Sequence, residues 1–133
     1  AAADLGYTPH EIMTVASMIE AEGRGDYKPK IARVIYNRLE LGMPLQVDAI
    51  LYYGQDGDLS FDELKAIDSP YNTYRNPGLP PGPIASPGRA ALEATLYPDS
   101  VPYLFFFAIG EGGRHTFSET YAEHMRKRRE LGR

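Results

Sequence analysis

A chain of 133 residues with 43% hydrophobic content is long enough and apolar enough for one folded domain, which excludes a disordered segment. It has no cysteine, which excludes disulfides, thiolate catalysis and cysteine-ligated zinc. The net charge of −4 hides a split: residues 124–133 carry +4, leaving residues 1–123 at −8, an acidic body that argues against nucleic acid as the main partner.

Thr8-Pro9-His10-Glu11 reads as a helix start, with Thr8 as cap, Pro9 in the first turn and Glu11 closing a capping box. Ile12, Val15, Ala16 and Ile19 then recur at helical spacing, and Gly23 and Gly25 stop the helix. A second helix is expected from about Pro29, burying Ile31, Val34, Ile35 and Leu39 and ending at Gly42. Leu45, Val47 and Ala49 alternate with Gln46 and Asp48, which predicts a short extended segment with two polar side chains on one face. Residues 52–58 read as a turn or loop, and Ser60-Phe61-Asp62-Glu63 as a second capping box opening a short helix.

Residues 70–88 hold six prolines and three glycines yet are too apolar for a linker, and long ordered loops of this kind tend to be functional. Ser86-Pro87 is expected to open a helix through Ala90, Leu92 and Leu96. Residues 103–109 are apolar on both faces and predict a strand central to a small sheet. The turn Gly110-Glu111-Gly112-Gly113 should return the chain through residues 114–117, before a last helix from about Glu119. The basic residues near the C-terminus suit the end of that helix. The order of elements predicts an α+β fold, one compact domain of helices around a small sheet with a C-terminal hairpin. No apolar run approaches the roughly 20 residues that cross a bilayer. Ala1-Ala2-Ala3 reads as a trimmed start, so residues 1–133 are expected to be one domain of a longer protein, with 1–7 as linker.

Glu20 and Glu22 sit on opposite flanks of the first helix's apolar stripe, so they are not a carboxylate pair, and the helical wheel does not choose between them. The edge of an apolar face is where a carboxyl group can stay protonated long enough to donate. Facing a stiff, polar, aromatic loop, such an acid fits cleavage of a glycosidic bond. Gln46 and Asp48 are candidates for orienting a sugar or the acid, and His115 is a candidate in the hairpin. His10, His115 and His124 are too scattered for a metal site, and no phosphate-binding loop follows a strand, so no metal or cofactor is expected.

Six segments in order carry a resemblance: 16–20 (ASMIE), 34–39 (VIYNRL), 42–48 (GMPLQVD), 71–74 (YNTY), 78–85 (GLPPGPIA) and the hairpin ending 115–117 (HTF). In these the chain resembles the endolytic murein transglycosylase family, the YceG-like proteins. The resemblance implies a bacterial lytic transglycosylase of cell wall biogenesis, cutting peptidoglycan glycan strands between N-acetylmuramic acid and N-acetylglucosamine and leaving a 1,6-anhydro-muramyl end. It maps the family's catalytic glutamate onto Glu20. It also implies a longer protein anchored in the cytoplasmic membrane, acting on its extracytoplasmic face, with peptidoglycan synthases as partners. Around Glu20, substrate-binding roles are expected for Gln46, Asn72, Thr73 and Tyr74, with Tyr71, Asn37, Asp48 and His115 behind them. The chain departs from the family pattern at Arg114, inserted before His115, and at Glu22-Gly23. Two other classes share these features: a lysozyme-type hydrolase and a non-catalytic glycan-binding module.

Overall fold

A computed structural model describes residues 5–22, 27–51, 59–108 and 115–131. The first helix, α1 (Pro9–Glu22), opens on the expected reciprocal box. The Thr8 amide donates to Glu11 Oε1 at 2.9 Å, and the Glu11 amide to Thr8 Oγ1 at 3.1 Å. Its burial extends beyond the apolar stripe to Thr14, Ser17 and Met18, because three elements surround it: α2 (Lys28–Glu40), the short α3 (Asp48–Leu51) and α5 (Arg89–Leu96). α2 buries Ile31, Val34 and Ile35, with Leu39 half-buried at its end. It stops at Gly42, whose φ of +69° suits glycine. The Gly42 amide bonds Leu39 O at 3.2 Å and the Met43 amide bonds Arg38 O at 2.9 Å, a Schellman termination.

Two expectations change here. Leu45 and Val47 are buried and Gln46 exposed, as the alternation required, but the segment is not a strand. Gln46 takes a φ of +53° and the chain turns into α3 at Asp48, so Asp48 and Gln46 do not share the face of an extended run. The third substantial helix starts at Gly88 as N-cap, two residues later than Ser86, and buries Ala91, Ala94 and Thr95; Ala90 is exposed and Leu92 and Leu96 are half-buried. Small side chains are buried there because α5 packs closely on both α1 and α2. The buried Tyr36 hydroxyl donates to Thr95 O at 2.8 Å and ties α2 to α5, and burial raises its pKa above the ordinary tyrosine value.

The helix α4 (Phe61–Lys65) begins on the predicted Ser60–Glu63 capping box. β1 (Phe105–Ala108) pairs antiparallel with β2 (His115–Ser118), in the register Phe105↔Ser118 to Ala108↔His115. β1 is not central: among the described residues the sheet has two strands, and Phe105, Phe106 and Phe107 are half-buried. Its apolar faces are covered by α2 and by the last helix, α6 (Tyr121–Glu130), instead of by further strands. The expected stops at Gly23 and Gly25, the loop at 52–58 and the glycine turn at 110–113 lie outside the described residues. Val15, Met18, Ile19, Ile31, Val34, Tyr36, Leu45, Val47, Ile50, Ala91 and Phe117 form one core, so residues from α1 to β2 share a single buried cluster. The fold is α+β.

Candidate active site

Half-buried Glu20 lies in the last turn of α1, past the fully buried Ile19. Its Oε1 accepts the Gly88 amide at 2.6 Å, at the entrance of α5. Oε2 has no protein hydrogen bond among the described residues. Farther back along α1, the Ile84 amide donates to Ser17 Oγ at 3.0 Å, and Ser17 in turn donates to Thr14 O at 2.7 Å. At the start of the helix, His10 Nε2 and Pro81 O stand 2.8 Å apart. The proline-rich loop therefore runs along α1 in the same direction, held by His10, Ser17 and Glu20. A Cβ on the buried Gly82 would stand 3.6 Å from the His10 ring and 3.7 Å from the Tyr71 hydroxyl, ordinary contact distances that place this part of the loop beside both.

Gln46 is the non-glycine residue with positive φ among the described residues. Such a backbone costs on the order of 1 kcal/mol and persists only when its neighbours over-determine it. They do so here. The Gln46 amide donates to Thr73 O at 3.2 Å, and the Val47 amide to Thr73 Oγ1 at 3.0 Å. From the other side, buried Arg38 donates to Pro44 O at 2.8 Å and to Leu104 O at 2.6 Å, with its guanidinium 5.0 Å over the Phe105 ring. Leu45 and Val47 are sunk in the core on either side, and the Gln46 side chain is left exposed.

The 71–74 segment divides by exposure. Asn72 is 3% exposed and Thr73 1%. The Asn72 amide nitrogen donates to Lys65 O at 2.9 Å and Ile67 O at 2.8 Å, closing the end of α4, while its Oδ1 accepts the Tyr74 amide at 2.9 Å. Asn72 and Thr73 thus spend their side chains on backbone that fixes Gln46 and Tyr74. Tyr74 is half-buried, edge-on to Phe61 at 6.0 Å, with Lys65 Nζ 5.8 Å from its ring. Asn37 lies apart from these: it donates to Val101 O and Tyr103 O, both at 3.0 Å, and anchors the approach to β1. His115 is 7% exposed, with its ring among Tyr27, Phe106 and Phe117. Asp48 opens α3, which packs on α1. Among the described residues no group of three or more metal-ligating side chains gathers.

The YceG-like family model matches residues 1–130. The chain belongs to the YceG-like family. Two relatives named endolytic murein transglycosylase are similar to it. That of Bacillus subtilis (strain 168) is 46% identical over 86% of this chain, which is 32% of the relative. That of Streptococcus pneumoniae serotype 2 (strain D39 / NCTC 7466) is 39% identical over 90% of this chain and 23% of the relative. The crystal structure of a YceG-like protein from Listeria monocytogenes superposes with a TM-score of 0.84 at 38% identity, covering 94% of this chain and 41% of that one. The chain thus spans about a third or less of the curated relatives it matches.

The contacts of His10, Ser17 and Glu20 with the proline-rich loop were not expected from the sequence. A serine inside a helix and a glycine after a proline have no local signal; their roles arise when the loop meets α1.

Proposed function

We propose that this YceG-like chain is the catalytic domain of a lytic transglycosylase that cleaves peptidoglycan glycan strands, with Glu20 as its acid and base. The observation that carries this reading is the division of labour in the Glu20 carboxyl group: one oxygen is held by the Gly88 amide and, among the described residues, the other accepts no protein hydrogen bond. Protonated Glu20 donates from Oε2 to the glycosidic oxygen between N-acetylmuramic acid and N-acetylglucosamine, and an oxocarbenium-like centre develops at C1. The carboxylate then accepts the proton of the muramyl C6 hydroxyl, whose oxygen closes onto C1 to give the 1,6-anhydro end. The nucleophile is intramolecular, so a second carboxylate is not required.

Exposed Gln46 and half-buried Tyr74 and Tyr71 are the proposed sugar contacts, with amide and hydroxyl groups for sugar hydroxyls and aromatic faces for the rings. Asn72 and Thr73 serve binding by fixing Gln46 and Tyr74; Asn37, Asp48 and His115 are outer members. The whole protein is proposed to work at the extracytoplasmic face of the membrane beside peptidoglycan synthases. Among the described residues no helix is long and apolar enough to cross a membrane.

The test is digestion of purified peptidoglycan with product mass spectrometry. Glu20→Gln is expected to lower cleavage by about 10²–10⁴-fold while the protein stays folded. Glu22→Gln is expected to retain most activity. The wild-type products should carry 1,6-anhydro ends; reducing ends throughout would assign a hydrolase instead. An inactive Glu22→Gln beside an active Glu20→Gln would reverse the assignment.

A further inference from the structure

Three side chains of α1 grip the backbone of residues 81–88, but the grip at Gly88 differs from the other two. An ideal Cβ on Gly88 would stand 2.9 Å from Glu20 Oε1 and 4.0 Å from its Cδ. The first distance is shorter than real Cβ contacts permit, so any side chain there displaces the carboxyl group. The backbone does not ask for glycine: φ is −81° and ψ 178°, ordinary extended geometry open to every residue. Nor does the helix require it. Gly88 is an acceptable N-cap of α5 but makes no side-chain cap, where Ser, Asp or Asn would satisfy a further amide at least as well. The group that needs the missing side chain is the Glu20 carboxylate, which docks in the space and takes the amide at 2.6 Å.

We infer that Gly88 is a positioning residue for the Glu20 acid, its bare Cα and amide together setting where Oε2 points. The inference rests on the reading of Glu20 as the proton donor. Ser17 supports the same geometry one turn back, where it fixes Ile84 and so the approach of the loop to Gly88. Gly88 itself is exposed, so the contact lies where substrate can reach it.

The test is a double-mutant cycle of Gly88→Ala and Glu20→Gln, assayed on purified peptidoglycan with thermal melting in parallel. Gly88→Ala is expected to lower kcat by about 10–100-fold, since misplacing a catalytic group by about 1 Å has effects of that size. KM should hold. The Tm should fall only slightly, because alanine fits this backbone and restricts the unfolded chain, which offsets its poorer capping of α5. In the Glu20→Gln background, Gly88→Ala should remove nothing further, because both changes act on one group. Wild-type activity in Gly88→Ala beside an inactive Glu20→Gln would overturn the positioning role and leave the acid assignment standing. The same fold-loss in both backgrounds, or a loss of activity that tracks a large fall in Tm, would also overturn it. An active Glu20→Gln would remove the acid assignment itself.

Discussion

The proposed sugar contact at Gln46 can be tested apart from stability. Its left-handed backbone costs folding energy, yet its side chain makes no use of the core: it is exposed between two buried neighbours. Strain maintained for an exposed polar side chain points to that side chain's work outside the fold. Gln46→Gly should therefore hold or raise the Tm by relieving the strain. It should also lower kcat/KM on glycan strands by about 3–10-fold, the worth of one neutral hydrogen bond. A variant with lowered Tm and unchanged turnover would contradict this. His124 offers a second test at the same scale. Burial lowers its pKa from the ordinary 6.5, with Arg128 and Arg38 adding to the effect, while its ring stacks on Phe105 at 5.1 Å. The folded state prefers the neutral ring, so this contribution is complete above pH about 6.5 and is lost as the pH falls toward the lower folded value. Melting curves between pH 7 and about 5 should show the decline. His124→Phe should flatten it, since the buried Nδ1 makes no hydrogen bond among the described residues.

The elements are joined by side chains that satisfy the backbone of a neighbour. Asn72 closes α4 onto the 71–74 turn, and Tyr36 joins α2 to α5. Asn72→Ala leaves buried carbonyls and the Tyr74 amide without their partner, and should cost about 2–4 kcal/mol of stability. If Asn72 acts by holding Tyr74, the activity of the fraction still folded falls mainly through KM. Tyr36→Phe removes one buried hydrogen bond at Thr95 O and should cost about 1–2 kcal/mol in denaturant unfolding without changing KM. The contrast between these two changes separates the joint that supports the site from the one that supports only the core.

For the molecule as a whole, one core spans α1 to β2, and Tyr71, Leu79 and Ile84 of the proline-rich loop pack against it, so the helix bearing Glu20, the turn at Gln46 and the loop share one packed body. The loop's six prolines restrict its backbone before any ligand is present, and in the proposed glycan-binding role this lowers the entropy lost on binding a polymer. The proposed chemistry uses a carboxyl group and an intramolecular hydroxyl, so turnover should persist in EDTA. Loss of activity on chelation with recovery on one specific metal would call for a different mechanism.

Local patterns were enough for most of the helices, but not for α3, which alternation read as extended, nor for the start of α5. The Thr8–Glu11 and Ser60–Glu63 boxes, the 31–39 stripe, the Gly42 stop and a hairpin from 103–109 back through 114–117, found as Phe105–Ala108 with His115–Ser118, all depend on spacing along the chain. The α+β class followed from their order. Glu20 and Glu22 were both visible as boundary carboxylates, and the resemblance in six segments pointed to Glu20. Tertiary structure decided the rest. Ala91, Ala94 and Thr95 are buried because two helices approach closely, which apolar periodicity based on large side chains does not reveal. Gln46 is left-handed because Arg38 and Thr73 hold its neighbours from 8 residues before and 27 after, so alternation alone read it as extended. Ser17 and Gly88 became part of the site only where the loop met α1. A hydrogen bond across 68 residues depends on the path of the chain between its ends, and no local pattern carries that path.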